Sequence, residues 1–123
     1  MTIVAEAYRY VIGVDTHAAT HTLAVLEAET GAVLDEATFP TTVAGLARAI
    51  SWISRRTTIA QAAQVLVAME GTGSYGAVFA GRLRGAGYQV TEVEQPTRSA
   101  RRGKGKTDNI DAVLAARSVL GQD

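Results

Sequence analysis

Three strand-forming segments follow one another with connections too short to hold a helix, and this spacing constrains the fold most. They cover residues 8–14, 20–26 and 32–39, with a turn predicted at residues 29–31. Runs rich in β-branched and aromatic residues favour strands. Because parallel neighbours need a crossover of a dozen or more residues, these three strands are expected to form an antiparallel meander.

The hydrophobic pattern then changes to helices that alternate with strands. Residues 43–55 carry apolar side chains at helical spacing after a possible N-cap at Thr41 or Thr42. Val65–Met69 is wholly apolar, which is typical of a strand buried on both faces of a parallel sheet. A fifth strand is predicted at residues 89–93 and a last helix at residues 108–120.

Two of the predicted helices have an expected apolar side. One lies between the fourth and fifth strands and ends at Gly87, and its apolar side comprises Tyr75, Val78, Phe79, Leu83 and Ala86. The last helix is expected to place Ile110, Val113, Leu114 and Arg117 on one side.

The order βββαβαβα predicts an α/β fold with a mixed five-stranded sheet and helices on its faces. Right-handed crossovers place the fourth strand beside the first, on the side away from the meander. A length of 123 residues fits one domain, residues 1–123.

Composition excludes several classes of site. The chain has no cysteine, which removes disulfides, thiol nucleophiles, iron–sulfur clusters and Cys-ligated zinc. Apolar residues make up 47% of the chain, which suffices for a core. No apolar run approaches the roughly 20 residues of a membrane span, and no signal-peptide pattern opens the chain. A soluble, cytoplasmic domain is therefore expected.

The net charge is zero, but the charges are unevenly distributed. Residues 95–107 contain five of the 12 basic side chains and no acidic one. A basic segment in a neutral chain is typical of one phosphate-binding place. The candidate nucleic-acid-binding residues are Arg98, Arg101, Arg102, Lys104 and Lys106.

Four carboxylates stand out by position. Asp15 ends the first predicted strand and Glu70 directly follows the fourth, so parallel neighbours would bring both to the carboxyl edge of the sheet, where α/β proteins bind ligands. Asp108 and Asp111 share one face of the last helix. Clustered acids repel each other, and carboxylate oxygens are the ligands of Mg²⁺ or Mn²⁺, which serve phosphodiester chemistry.

Each feature also has a simpler interpretation. The aspartates of the last helix could cap it, and a basic segment is usually a solvated surface. Near the proposed site, Ser74 is interpreted as a helix cap and Tyr75 as a core residue, whereas His17 is either an acid–base group or an exposed turn residue.

Together, the segments GVDTHAATHTLAVL, AMEGTGSYG and PTRSARRGKGKTDNIDAVLAAR strongly resemble the N-terminal RuvC-like domain of the DEDD transposases of the insertion-sequence 110 family. The resemblance implies a ribonuclease-H-like fold and a Mg²⁺-binding catalytic tetrad comprising Asp15, Glu70, Asp108 and Asp111. It also implies DNA cleavage and strand exchange, guided by a structured RNA of the element.

Members of that family also have a C-terminal domain with a nucleophilic serine, which these 123 residues do not contain. Metal and nucleic-acid binding are therefore expected of this chain, but not complete recombination. The full-length protein is expected to be a homo-oligomer that acts on DNA in the bacterial nucleoid, away from membranes.

Two other functions remain possible on the residues alone. One is a phosphate-binding ATPase of the actin and sugar-kinase type, although Ala18-Ala19-Thr20 lacks the glycines of its hairpin. The other is a non-catalytic module with a ribonuclease-H-like fold that binds RNA or assembles subunits. The second differs from the nuclease only in whether the acids hold metal.

Overall fold

The computed structural model describes residues 3–93 and 108–121, with side chains in the second range from residue 111 onward. Its strands are β1 (Tyr10–Thr16), β2 (Thr20–Glu27), β3 (Val33–Pro40), β4 (Val65–Met69) and β5 (Gln89–Glu92). Its helices are α1 (Val4–Ala7), α2 (Val43–Arg56), α3 (Ala77–Gly85) and α4 (Asp108–Val119), with a 3₁₀ turn at Ala62–Gln64. The five basic residues Arg98, Arg101, Arg102, Lys104 and Lys106 lie outside the described residues.

The five strands form one mixed sheet in the order β3-β2-β1-β4-β5. The first three are antiparallel neighbours, as their short connections predict, and β4 pairs with β1 in parallel. The predicted α/β class and the place of the fourth strand beside the first are therefore confirmed.

Two apolar layers cover the sheet, one on each face. Alternate residues of β1 face opposite sides, so Ile12 and Val14 pack with α2 and α3, whereas Val11 packs with α4. The sheet centre is accordingly buried on both sides, and all of β4 is buried. Asp15 shares the α4 side with Val11, because the two differ by an even number of positions.

The ends of the elements differ in places from the predicted ones. β1 begins two residues later than expected and continues to Thr16, so that Asp15 lies inside the strand. The short helix α1 was not predicted. Thr42 caps α2 by accepting a hydrogen bond from the Gly45 amide at 3.0 Å, one of the two predicted caps. No described helix has the length and apolar character to cross a membrane.

The expected apolar side of α3 is only partly correct. Phe79 and Leu83 are fully buried, but Tyr75 is 64% exposed and Val78 is 62% exposed. The helix begins at Ala77, so Tyr75 belongs to the preceding turn and helical periodicity does not apply to it. The interpretation of Tyr75 as a core residue was therefore wrong.

Among the α4 side chains that the structure describes, from residue 111 onward, the buried side differs from the predicted one; Ile110 of the predicted side lies outside that range. The buried residues of α4 are small, whereas Val113 and Leu114 are only half-buried and Arg117 is exposed. The buried set is Asp111, Ala112, Ala115, Ala116 and Val119. Small side chains let this helix lie close to β1, an advantage that a count of large apolar residues does not reveal.

His21 lies buried on the α3 side of the sheet, where its ring stacks on Phe79 at 5.6 Å between centroids. Its Nδ1 atom has no hydrogen-bond partner among the described residues. Burial lowers the pKa of His21, against a smaller opposing effect of the Thr20 backbone, and His17 lowers it further. The ring is therefore neutral in the folded protein near pH 7.

This burial makes stability depend on pH through His21. Because the unfolded state binds the proton more readily, His21 should reduce the free energy of unfolding as pH falls below the ordinary value of 6.5. In His21→Phe this contribution should disappear. Urea unfolding of both proteins between pH 7.5 and 5 measures it, and a difference between them that stays constant with pH would contradict the expectation.

Candidate metal centre

Pairing of β1 with β4 brings two of the predicted acids together. Val14 is opposite Met69 in the parallel register, so the next residues along both strands, Asp15 and Glu70, are neighbours at the carboxyl edge of the sheet. The Thr16 hydroxyl donates to the Glu70 backbone carbonyl at 3.0 Å and ties the two strand ends together. Residues 55 positions apart thus meet because of strand pairing alone.

The Asp15 carboxylate is the most deeply placed of these acids, since the residue is 2% exposed. Its Oδ2 accepts a hydrogen bond from Nε2 of His17 at 2.8 Å. Burial raises the pKa of Asp15, the His17 contact lowers it, the charge of Asp111 raises it, and a hydrogen bond with the Glu70 side chain lowers it. The net direction is upward, so holding the charged form in this place costs free energy.

A third acid reaches Asp15 from the helix packed above it. Asp111 lies on the buried side of α4 and is 6% exposed. Its charge raises the pKa of Asp15, so the two carboxylates repel each other across the interface between α4 and β1. Asp108 is the first residue of α4, and its side chain lies outside the described part of the chain.

A tight turn at residues 71–76 leads from Glu70 to α3. Gly71 has a φ of +72°, a backbone conformation that residues with an L side chain rarely adopt. Its carbonyl oxygen accepts hydrogen bonds from the backbone amides of Ser74 and Gly76 at 3.0 and 2.8 Å. The Glu92 carboxylate then accepts two hydrogen bonds from Thr72, from its amide at 3.1 Å and its hydroxyl at 2.7 Å. Sequence reasoning missed this role of Glu92, since a carboxylate at the end of an edge strand has no distinctive pattern.

The turn and the two strand ends enclose an open cleft of about 390 Å³. Asp15, His17, Glu70, Ser74 and Tyr75 line it. The Ser74 hydroxyl donates weakly to the Gly71 carbonyl at 3.4 Å and does not cap α3, whose N-cap is Gly76. The predicted structural role of Ser74 is thus in the turn.

A larger cleft of about 540 Å³ lies at the opposite edge of the sheet, between α1 and the start of β1. Its charged lining residues include Glu6, Arg9 and Glu29, and none of them is buried. The smaller cleft, by contrast, holds a buried carboxylate with a raised pKa, a combination characteristic of functional sites.

The carboxylate oxygens of these acids are chemically suited to a divalent cation, although their present positions do not form a coordination site. Carboxylate oxygens are hard ligands, and a positive charge would relieve both the burial of Asp15 and its repulsion by Asp111. Among the described side chains, however, no three acids or histidines already stand in a metal-holding group. Metal binding would therefore require Asp15 to exchange its present hydrogen bonds for coordination.

Comparison with known proteins gives a family and a fold. A family model for DEDD transposases of the insertion-sequence 110 type, described as a transposase, matches residues 12–123. A search of curated protein sequences gives no match.

Solved structures of phage enzymes share the architecture. The large terminase nuclease of thermophilic phage G20c with bound cobalt has a TM-score of 0.60 at 16% identity, over 91% of this chain and 84% of that one. The same nuclease with bound magnesium has a TM-score of 0.50 at 19% identity, over 92% and 59%. The large terminase of thermophilic bacteriophage D6E, in complex with ATP-γ-S, gives 0.52 at 12% identity, over 93% and 28%. The fold is therefore that of the ribonuclease-H-like nucleases.

Proposed function

The chain belongs to the DEDD transposase family of the insertion-sequence 110 type, and from that premise we propose that it is the RuvC-like catalytic domain of a DNA transposase. The domain comprises residues 1–123. It cleaves and exchanges DNA strands at phosphodiesters, with a divalent cation held by Asp15, Glu70, Asp108 and Asp111. Mg²⁺ is the expected cation and Mn²⁺ its substitute.

One observation carries the proposal: the parallel register that makes Asp15 and Glu70 neighbours, beneath the helix that holds Asp111. Acids gathered at one buried place cost free energy, and a divalent cation removes that cost. The G20c terminase nuclease, which has the same fold, has been solved with cobalt and with magnesium, which supports a divalent metal in this chain.

The chain's own residues have distinct parts in this chemistry. A divalent ion in this place supplies Lewis-acid stabilisation of the phosphate and activation of the attacking oxygen. Asp15 and Glu70 hold negative oxygens at the strand ends, and Asp111 adds one from α4. His17, whose side chain is 46% exposed, places Nε2 2.8 Å from Oδ2 of Asp15, where the ring can pass a proton between this carboxylate and solvent.

Nucleic acid approaches this edge with help from the basic segment. Arg98, Arg101, Arg102, Lys104 and Lys106 immediately precede Asp108 in the chain, so they would hold phosphates near the cation. We also propose the partners that the family implies: a structured guide RNA, a C-terminal domain with the nucleophilic serine, and further copies of the protein. The place of action is the bacterial cytoplasm, on nucleoid DNA.

Titration of the chain with MgCl₂ or MnCl₂ tests the proposal, with NaCl at matched ionic strength as the control. A cation that binds only the folded state raises the free energy of unfolding by about 2.7 kcal/mol at a hundredfold excess over Kd. Chemical denaturation measures this increase, and nicking of supercoiled DNA by the same samples tests whether the bound cation supports cleavage.

Comparing the response to divalent cations with the responses to RNA and to ATP distinguishes the alternatives. A non-catalytic module that binds RNA or assembles subunits would bind RNA without any response to divalent cations. A larger thermal shift with ATP than with Mg²⁺ alone would favour an ATPase. Either result would contradict the proposed metal-dependent function.

A further inference from the structure

We propose that Tyr75 and Val78 form a stacking surface for an unpaired nucleobase of the strand whose phosphate enters the acidic cleft. This inference rests on the proposed function and adds a binding contact to it. Neither side chain carries charge, so the contact would be independent of base identity, as base stacking on aromatic rings is.

Tyr75 and Val78 are both exposed, although both belonged to the predicted apolar side of α3. Tyr75 is 64% exposed and Val78 is 62% exposed, three positions further along at the start of α3. Tyr75 also lines the cleft that contains Asp15 and Glu70. The exposed face of Tyr75 is therefore accessible to a ligand that enters this cleft.

The backbone that presents Tyr75 is well fixed. The backbone amides of Ser74 and Gly76, the two residues that flank Tyr75, both donate hydrogen bonds to the Gly71 carbonyl oxygen. Thr72 is held in turn by the Glu92 carboxylate through two hydrogen bonds. A ring on such a turn loses little conformational freedom on binding, which favours a contact that must be accurately placed.

The local charge favours a stacking contact over a phosphate contact. Asp15 and Glu70 line the cleft and Asp111 adds negative charge from α4, so these acids repel a phosphate backbone until cations bind. The π-face of a tyrosine attracts a base without opposing this charge. Enzymes that act on nucleic acids often read a base that has left the duplex by stacking it on aromatic side chains.

The occupant is expected to be nucleic acid because of where the ring lies. A protein surface packed on Tyr75, including a second copy of the chain, would cover the cleft beside Asp15 and Glu70. Under the proposed function the scissile strand must enter that same cleft. A nucleotide of the strand can occupy the ring and leave the acids accessible.

Binding of a fluorescent base tests the inference on the complete chain. The ligand is a DNA duplex with a short single-stranded gap that contains 2-aminopurine, whose fluorescence is quenched by stacking, and Ca²⁺ replaces Mg²⁺ to prevent cleavage. Tyr75→Ala should lose the quenching and bind about tenfold more weakly, whereas Tyr75→Phe should retain both. Ile59→Ala is the matched control, because Ile59 is 67% exposed at the opposite edge of the sheet.

The outcomes separate this inference from the proposed function. A wild-type chain that is stabilised by Mg²⁺ but never quenches the probe would refute the stacking surface alone. Tyr75→Ala that dissociates a dimer in sedimentation, with DNA binding unchanged, would assign the surface to a second copy and also refute it. A chain without any response to Mg²⁺ would refute the proposed function instead, whatever the probe shows.

Discussion

Asp15→Asn should abolish the stabilisation by Mg²⁺ and, without metal, make the chain more stable than the wild type. Asn keeps an oxygen that can accept a hydrogen bond from His17, but it removes a buried charge that Asp111 repels. The gain without metal should be roughly 1 kcal/mol, the order of the repulsion between the charges of Asp15 and Asp111. Cleavage should fall at least about a hundredfold, since even the loss of an outer partner of a ligand can cost that much.

The pH dependence of the same variant gives an independent measurement. Burial first, and Asp111 in addition, raise the pKa of Asp15 above 3.8 in the folded protein, so the folded state binds the proton more readily than the unfolded state. This contribution to stability is present below pH 3.8 and is lost as pH rises through the folded pKa. Asp15→Asn should remove it, as urea titrations without metal at several pH values would show.

Asp35→Asn is the matched control for the loss of one carboxylate. Asp35 lies on the edge strand β3 with its side chain 38% exposed, and it pairs with Arg56, whose hydrogen bond lowers the pKa of Asp35. This variant should leave the Mg²⁺ response unchanged. If Asp15→Asn instead destabilises the chain and leaves the Mg²⁺ response intact, the acids have a structural role.

Gly13→Ala should destabilise the chain by about 3 kcal/mol, near the upper end of overpacking substitutions. A Cβ atom at Gly13 would lie 1.8 Å from the Ala112 carbonyl oxygen and 2.9 Å from the Ala116 Cβ. The contact is with the helix backbone, which cannot move aside by changing a rotamer. α4 must therefore separate from β1, and Asp111 should move away from Asp15 and weaken the response to Mg²⁺.

Chemical denaturation with and without Mg²⁺ measures both effects. Gly81→Ala is the control, because Gly81 lies in α3 and an added Cβ would meet no described atom within 4 Å beyond its own helix backbone and chain neighbours. Alanine has a higher helix propensity than glycine, so this variant should gain roughly 0.5–1 kcal/mol. Wild-type stability and Mg²⁺ affinity in Gly13→Ala would show that the close contact between helix and strand is not required.

The sheet could be predicted because its signals are local and strong. The short connections among the first three strands and the wholly apolar Val65–Met69 determine the antiparallel meander and the parallel neighbour. The same topology puts Asp15 and Glu70 at one edge, as expected. The family resemblance added the proposed catalytic roles of Asp108 and Asp111, which topology alone does not predict.

The errors arose where periodicity stops being informative. Tyr75 has the spacing of a helix residue but lies in a turn, and α4 packs through alanines, not through Val113 and Leu114. Predictions from hydrophobic patterns give most weight to large side chains. They therefore miss the buried side of a helix whose small residues pack closely against Gly13. The fixing of Thr72 by Glu92 likewise depends on tertiary contacts that no local pattern records.

The contact between Gly13 and α4 also has a consequence for biosynthesis. Ribosomal synthesis completes the five strands before it reaches α4, so a nascent chain that ends at Val93 contains Asp15 and Glu70 but not Asp111. The acid cluster can close only when α4 docks on β1, after its residues have left the exit tunnel. Under the proposed function, the metal site is therefore completed only after α4 has been synthesised.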